Sequence, residues 1–225
     1  MTAPVVSARR IGREGQPLVT IDGFAADPDA LRTAAIATPF GAAREYYPGS
    51  RGELPPAYLK AQWPLIAAVL AEVFGYAHAA RMIDASFSLV TRRPDDLSVA
   101  QRMPHVDAVE PGRIAILHYL APAGGDGTAF FRHRSTGFET VDAARAPVYH
   151  GQLEAELRHG GGPGPAYIAG DTPLFERTAL AEARYNRALI YRSNLLHSGA
   201  ISPGAVLPAD PATGRLTITA FLEAS

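Results

Sequence analysis

Apolar and polar positions alternate in short runs along the last two thirds of the chain, and this pattern predicts β-strands. Gly, Pro and Asp separate the runs, as in antiparallel sheets. The candidate strands are 17–24, 84–91, 113–120, 127–132, 166–169, 187–192 and 215–222. The segment 175–186 has helical propensity but would also suit a β-hairpin, and both interpretations stay open at this point.

Helical periodicity is concentrated in the first third of the chain. Asp27 is a candidate N-cap with Pro28 at the first helical position, and apolar residues recur at near-helical spacing over 57–75. A short helix is also predicted around 152–159. The intervening stretch 40–56 contains Pro, Gly and two adjacent tyrosines, which predict an irregular loop.

These elements predict a mainly β fold with N-terminal helices. The 225 residues fit one domain over 1–225, and 47% hydrophobic residues are enough for a sizeable core. In this division 1–83 form the N-terminal strand and support helices, and 84–225 form the β-rich body. A double-stranded β-helix, or jelly roll, suits the body because it brings strands distant in sequence together around an interior cavity.

Composition narrows the classes of function. The formal net charge of −1 argues against nucleic acid or an anionic membrane as partner, and the absence of Cys excludes thiolate metal sites. The N-terminus lacks the apolar core of a signal peptide, and no apolar run is long enough to span a membrane. We therefore expect a cytoplasmic protein in which any metal is bound by His, Asp, Glu or water.

The strongest candidate chemistry is a set of two histidines and one carboxylate. In an extended strand His105 and Asp107 project from the same face while Val106 points away. An HxD pair alone is common, but His197 directly follows an apolar strand and supplies a second imidazole. Two histidines and one carboxylate on one face leave the opposite positions of an octahedral metal open, as in non-haem Fe(II) oxygenases.

Arg215 is the second candidate, because it begins the last predicted strand. On that strand it shares a polar face with Thr217 and Thr219. The planar fork of an arginine can hold a carboxylate by two parallel charge-assisted hydrogen bonds. The alternative is an ordinary surface residue after the turn at 211–214.

As a set, these residues resemble the 2-oxoglutarate/Fe(II)-dependent dioxygenase superfamily, and within it the prolyl-4-hydroxylase-like branch and its bacterial relatives. The resemblance rests on His105-x-Asp107, on the distal His197 and on Gly214-Arg215-x-Thr217-x-Thr219. Ile116–Leu120, followed by Gly124-Gly125-Asp126-Gly127-Thr128, is similar to the strand and Gly-Gly-Thr turn of that family. The likeness covers about 84–222.

The resemblance implies specific roles. His105, Asp107 and His197 would bind Fe(II), and Arg215 would bind the C5 carboxylate of the cosubstrate 2-oxoglutarate. Tyr119 matches a tyrosine whose hydroxyl contacts the cosubstrate, and Thr128 would line the same pocket. The implied reaction hydroxylates an unactivated C–H bond and releases succinate and CO₂. The spacing from the distal His to the Arg is longer here than the family usually has.

Two other functions stay open: a cupin-type metalloenzyme that uses no 2-oxo acid, and a non-catalytic jelly-roll module that binds a small ligand. The substrate, a small molecule or a peptide, is not encoded in any motif. The cluster Arg132-His133-Arg134 would either bind an anionic group or form a solvated strand end. Tyr46, Tyr47 and Arg51 would form a lid or a packed loop, and His118 is expected to be a packed or surface residue.

Overall fold

Two antiparallel sheets and three α-helices make up the computed structural model, which describes residues 3–43, 46–123, 125–160 and 162–225. The helices are α1 Pro28–Ala37, α2 Ala57–Val69 and α3 Ala146–Gly160. The strands are β1 Val5–Ile11, β2 Gln16–Asp22, β3 Phe40–Ala42, β4 Gly49–Glu53, β5 Ala80–Val90, β6 Arg113–Tyr119, β7 Gly125–His133, β8 Phe175–Ala183, β9 Arg187–Arg192, β10 His197–Gly199 and β11 Arg215–Ala224.

The large sheet has the strand order β1-β2-β9-β6-β11-β5-β4-β3, and the small sheet has the order β10-β7-β8. Neighbours such as β9 and β6, or β6 and β11, are far apart in sequence and pair antiparallel. The inner faces share one apolar cluster, in which Leu18 and Tyr191 of the large sheet meet Phe130 and Ala181 of the small sheet. The two sheets therefore face each other.

Helices cover the outer faces of both sheets. Strand β11 shows the alternation that makes this possible, because Leu216, Ile218 and Ala220 are buried in the cluster that also contains Ile66 of α2. On the small sheet, Phe131 points outward and packs with Tyr149 and Leu153 of α3 in a separate cluster. The opposite face of β11, which begins with Arg215, is left for the space between the sheets.

The helix signals of the sequence are confirmed. The Asp27 carboxylate accepts a hydrogen bond from the Ala30 N–H at 2.9 Å, and Pro28 occupies the first turn of α1. Helix α2 continues into one π-helical turn, Leu70–Phe74, and stops at Gly75, whose φ of 78° is left-handed. The α3 helix contains the predicted 152–159 but begins at Ala146.

The strand predictions are mostly confirmed. Strands β2, β5, β6, β7, β9 and β11 cover the predicted segments, and 175–186 is mainly the strand β8, which pairs with β7. The predicted strand 166–169 is wrong: these residues form no strand. Tyr167 and Ile168 belong to a loop and are buried because their side chains pack into two apolar clusters. The Tyr167 hydroxyl donates to the Arg92 carbonyl at 2.7 Å.

The irregular loop predicted for 40–56 is also partly wrong, because it contains the hairpin of β3 and β4. The sequence of β4, Gly-Ser-Arg-Gly-Glu, lacks hydrophobic alternation, and the strand is held by backbone pairing to β5. Strand β1 was not predicted for a similar reason: as an edge strand it exposes almost all of its side chains. Arg44, Glu45, Gly124 and Gly161, which belong to the predicted loop, turn and connector, lie outside the described residues.

None of the helices within the described ranges combines the length and the apolar character needed to cross a bilayer. The division into one domain over 1–225 stays a prediction.

Candidate metal centre

His105, Asp107 and His197 are brought together by backbone hydrogen bonds between two segments. The His105 N–H donates to the His197 carbonyl at 2.9 Å, and the His197 N–H donates back to the His105 carbonyl at 3.0 Å. The Asp107 N–H donates to the Ser193 carbonyl at 2.8 Å. The expectation that His105 and Asp107 lie on an extended strand is therefore wrong in detail, because this segment forms a single β-bridge.

The three side chains place one ligand atom each within 4.8 Å of the others. His105 Nε2 lies 3.8 Å from Asp107 Oδ1, and His197 Nε2 lies 3.4 Å from Asp107 Oδ2. Two ligands at right angles on a metal with bonds of about 2.1 Å are about 3 Å apart. The site therefore needs only small side-chain movements to close around one divalent cation.

The tautomer of His197 is fixed by the protein. Its Nδ1 lies 2.8 Å from the Leu195 carbonyl, which can only accept, so Nδ1 carries the proton and Nε2 presents its lone pair. The His197 side chain is 7% exposed and the Asp107 side chain 19%, whereas that of His105 is 54% exposed. The centre thus has one open side, as a catalytic metal requires.

Desolvation favours the neutral form of both imidazoles. Desolvation lowers the pKa of His197 to about 4, and desolvation together with the nearby His197 lowers the pKa of His105 to about 4. Desolvation also raises the pKa of Asp107. Neutral imidazoles bind metals without first losing a proton, and a bound cation would restore the ionised form of the carboxylate.

Arg215 lies beside the metal centre with unused hydrogen-bond donors. Its Nη2 donates to the Gly127 carbonyl at 2.8 Å, whereas its buried Nε has no hydrogen-bond partner. Among the described residues no carboxylate lies within ion-pair distance of the guanidinium. A partly buried cation without an anion is costly, so this arrangement is typical of a site that binds an anionic ligand.

The strand β10 fixes the relation between Arg215 and the metal centre. The terminal nitrogens of Arg215 lie 3.7 and 3.8 Å from the position that a Cβ on Gly199 would occupy. Gly199 is two residues after His197, so both project from the same face, about 7 Å apart along the strand.

Two pairs of hydroxyl groups lie on the strands next to Arg215 and Gly199. The hydroxyls of Tyr119 and Thr128 lie 2.7 Å apart, and those of Ser88 and Thr219 are also 2.7 Å apart. Burial raises the pKa of Tyr119, whose phenol therefore stays protonated. These contacts and strand pairings bring all six residues singled out by sequence, His105, Asp107, Tyr119, Thr128, His197 and Arg215, into one region between the two sheets, which we call the cleft.

Tyr191 is a site residue that the sequence did not reveal. Its ring contacts that of His197 edge to face, with centroids 4.9 Å apart, and burial and the nearby Asp107 carboxylate raise its pKa. On β9 it occupies an inward position like Leu189, so nothing in its local pattern distinguishes it from a core tyrosine.

In the cationic cluster Arg132-His133-Arg134, the first two residues are buried, whereas Arg134 is an exposed residue directly after the end of β7. The Arg132 side chain is 8% exposed and pairs with Glu139, at 3.2 Å, and with Glu176. His133 is fully buried, and its Nε2 lies 2.8 Å from Glu156. Acidic residues elsewhere in the chain satisfy these two side chains.

His118 and the loop before Arg215 are both packed against other residues. His118 is a packed residue, as expected, with its ring nitrogens 3.0 Å from the Tyr58 hydroxyl and from Asn186 Oδ1. The long spacing from His197 to Arg215 is accommodated by a loop whose Ile201 packs with Val90, Leu97 and Tyr167.

The chain belongs to the family described as "Family of unknown function (DUF6445)", whose model matches residues 2–222. No curated protein matches the chain.

Solved structures of iron- and 2-oxoglutarate-binding enzymes are similar to it. HygX from Streptomyces hygroscopicus, with nickel, 2-oxoglutarate and hygromycin B bound, has 12% identity and a TM-score of 0.50 over 94% of this chain and 84% of its own. An N-substituted L-amino acid dioxygenase from Burkholderia ambifaria AMMD, in complex with alpha-KG, has 12% identity and a TM-score of 0.46 over 99% and 96%. The epimerase SnoN, in complex with Fe3+, alpha ketoglutarate and nogalamycin RO, has 15% identity and a TM-score of 0.46 over 92% and 78%. The HygX alignment indicates a shared fold.

Proposed function

We propose that this protein is an Fe(II)/2-oxoglutarate-dependent oxygenase that hydroxylates an unactivated C–H bond. The observation that carries the proposal is the position of Arg215, an arginine with spare donors on the same face of the cleft as the His105–Asp107–His197 centre. Neither a purely structural metal site nor a cupin-type metalloenzyme without a 2-oxo acid needs such a cation. The fold shared with HygX supports the same function.

His105, Asp107 and His197 would hold the iron, since imidazole nitrogen and carboxylate oxygen are suitable ligands for Fe(II). Bound Fe(II) and 2-oxoglutarate would together supply the oxidising chemistry, with release of succinate and CO₂. The protein contributes the geometry. Leu195 fixes the His197 ring through its carbonyl, and Tyr191 and Phe130 pack against that ring and keep water from that side.

Arg215 would bind the C5 carboxylate of 2-oxoglutarate through its planar fork. Gly127 has a double role here, since its carbonyl accepts from Arg215 and a Cβ on it would lie 1.8 Å from the Ala181 carbonyl of β8. Only glycine allows strands β7 and β8 to approach so closely at this point. The paired hydroxyls of Tyr119 and Thr128 would offer a further donor to the same carboxylate.

We propose one double-stranded β-helix domain over 1–225, since both sheets contribute to one inner cluster. We also propose a place in the prolyl-4-hydroxylase-like branch and a cytoplasmic enzyme whose partner is a small-molecule or peptide substrate, without nucleic acid or membrane.

Anaerobic titration of the purified apoprotein, first with Fe(II) and then with 2-oxoglutarate, tests the function. A weak visible absorption band that appears only when both are present is expected for a cosubstrate chelated to the iron. Binding of iron without the band would favour the cupin-type enzyme, and no preference for iron would favour a binding module. Admission of O₂ should then convert 2-oxoglutarate to succinate.

A further inference from the structure

Arg51 is a second arginine that faces the cleft, and its position follows from strand pairing. On β4 it lies opposite Ser88 of β5, which in turn lies opposite Thr217 of β11, and Thr217 lies opposite Tyr119 of β6. Paired residues of antiparallel strands project from the same face. Arg51 therefore belongs to the same transverse row as two residues that line the cleft.

The Arg51 guanidinium is held in place by its neighbours, but only some of its N–H groups donate hydrogen bonds. It lies over the ring of Tyr47, 4.9 Å from the centroid. Its Nη1 reaches Ser86 Oγ at 3.2 Å and Asp84 Oδ2 at 3.4 Å. Its Nε and Nη2 have no hydrogen-bond partner among the described residues.

The ion pair with Asp84 is too weak to be the role of Arg51. The Asp84 side chain is 59% exposed and that of Arg51 is 28% exposed, and the 3.4 Å contact is long for a charge-assisted hydrogen bond. Pairs of this kind contribute little and exchange readily with a better ligand. The aromatic contact holds the guanidinium plane in place, which prepares the two unused nitrogens for a planar anion.

The location of Arg51 differs from that of Arg215. Arg51 contacts Asp84, which lies opposite Phe221 of β11, and Phe221 lies opposite Ala115 of β6. Ala115 lies opposite Tyr191, whose ring contacts His197 of the metal centre. The Arg51 guanidinium therefore extends toward the row of residues that reaches the metal centre, whereas Arg215 lies on the other side of Arg51, opposite Val90. Arg215 serves the cosubstrate end of the cleft, so Arg51 is left for a second ligand near the metal.

We propose that Arg51 binds the carboxylate of the substrate, so that the enzyme acts on an organic carboxylic acid. The proposal rests on the proposed oxygenase function, in which a second organic ligand must lie beside the iron. A single arginine next to the partly compensating charge of Asp84 suits a planar monoanion better than a doubly charged phosphate ester. The ring of Tyr47 beneath the guanidinium adds an apolar surface beside the anion.

Binding of simple acids to the protein tests this directly. The probes are a set of aliphatic, aromatic and N-acylated monocarboxylic acids, each paired with its primary amide and compared with a phosphate monoester. Binding is measured by ligand-observed NMR on the apoprotein, and by the change in the visible band on the anaerobic Fe(II)–2-oxoglutarate complex. At least one acid should bind saturably, at least about 10-fold more tightly than its amide, because the charged hydrogen bonds are lost in the amide.

Variants of Arg51 and Arg215 test which arginine binds which ligand. Arg51→Gln should weaken the acid by about 10-fold or more and leave 2-oxoglutarate affinity within about twofold, whereas Arg215→Gln should do the opposite. Arg51→Lys should give an intermediate loss, since it keeps the charge without the fork. Arg81→Gln, an exposed change on β5, should alter neither. Circular dichroism and thermal unfolding establish that each variant is folded.

Any of three binding results would overturn the proposal, as would a loss of cosubstrate affinity. The three are no saturable binding by any acid, equal binding by wild type and Arg51→Gln, and tighter binding of the phosphate monoester. A loss of 2-oxoglutarate affinity in Arg51→Gln would also overturn it, because Arg51 would then belong to the cosubstrate site. If the visible band never forms but acids bind the apoprotein through Arg51, the carboxylate site stands and the iron-dependent function fails.

Discussion

Two arginines lie at opposite ends of strand β7, Arg132 within it and Arg215 of β11 in contact with it, and they differ in their partners. At one end Arg132 is almost fully buried and pairs with Glu139 and Glu176, while the Glu139 carboxylate also accepts from two backbone N–H groups. At the other end the Gly127 carbonyl accepts from Arg215, which has no ion-pair partner among the described residues. His197, opposite Phe130 in the middle of β7, lies between them.

This difference distinguishes an arginine that stabilises the fold from one that is available to bind a ligand. A buried cation that forms ion pairs within the protein serves the fold, because its charge is compensated internally. A cation that keeps unused donors beside an open metal centre is compensated only when a ligand arrives. Changes at the first end should therefore affect stability, and changes at the second end should affect ligand affinity.

The largest effect is expected for Arg132→Met. The change leaves Glu139, 2% exposed, as a buried carboxylate without its ion-pair partner, and breaking such a pair costs about 3–5 kcal/mol. The free energy of unfolding, measured by urea denaturation, should fall by that amount. The neighbouring Arg134→Met, at a position 41% exposed, is the control and should change stability by less than about 1 kcal/mol. Equal effects of the two changes would refute the structural role of Arg132.

Asp107→Ala should abolish iron-dependent activity with no loss of stability. Removal of a metal ligand is expected to weaken iron binding by more than about 100-fold, since even changes beyond the ligands cost 10- to 100-fold. Burial raises the pKa of Asp107, so its ionised form opposes folding near neutral pH, and the apoprotein should unfold at the same or a higher temperature. A clear fall in the melting temperature of the apoprotein would show that Asp107 serves the fold instead.

Arg215→Gln should weaken 2-oxoglutarate binding by about 10- to 100-fold, the usual value of hydrogen bonds to a charged group. Stability should be unchanged or slightly higher, because the variant removes a cation that no carboxylate of the described residues neutralises. The midpoint of the visible-band titration measures the first quantity, and urea denaturation measures the second. An unchanged titration midpoint would exclude Arg215 as the cosubstrate anchor.

The sequence predicted one end of β7 better than the other. His105, Asp107 and His197 have a recognisable spacing, and Arg215 begins a strand whose alternation predicts a polar inner face. The partners of Arg132 were not predictable, because Glu139 and Glu176 reach it only after a turn and a strand pairing have formed.

The position of Arg51 in the cleft was also not predictable from the sequence. Its orientation depends on pairing between β4 and β5, and the Gly-containing sequence of β4 has no hydrophobic alternation that would predict a strand. Residues whose types match a known metal-binding set were therefore predictable, whereas charge compensation and the pairing of strands without hydrophobic alternation were not.

The smallest effects are expected for two matched tyrosines, one in the cleft and one outside it. Tyr119→Phe removes a hydroxyl that pairs with Thr128 in the cleft, and Tyr58→Phe removes one that pairs with the buried His118 outside it. Each loses one hydrogen bond of about 1 kcal/mol, roughly a fivefold change in an equilibrium constant. Tyr119→Phe should weaken 2-oxoglutarate by that factor, and Tyr58→Phe should lower only the free energy of unfolding. If both variants lowered stability and neither changed 2-oxoglutarate affinity, the hydroxyls at this end of the cleft would be structural, and Arg215 alone would hold the cosubstrate.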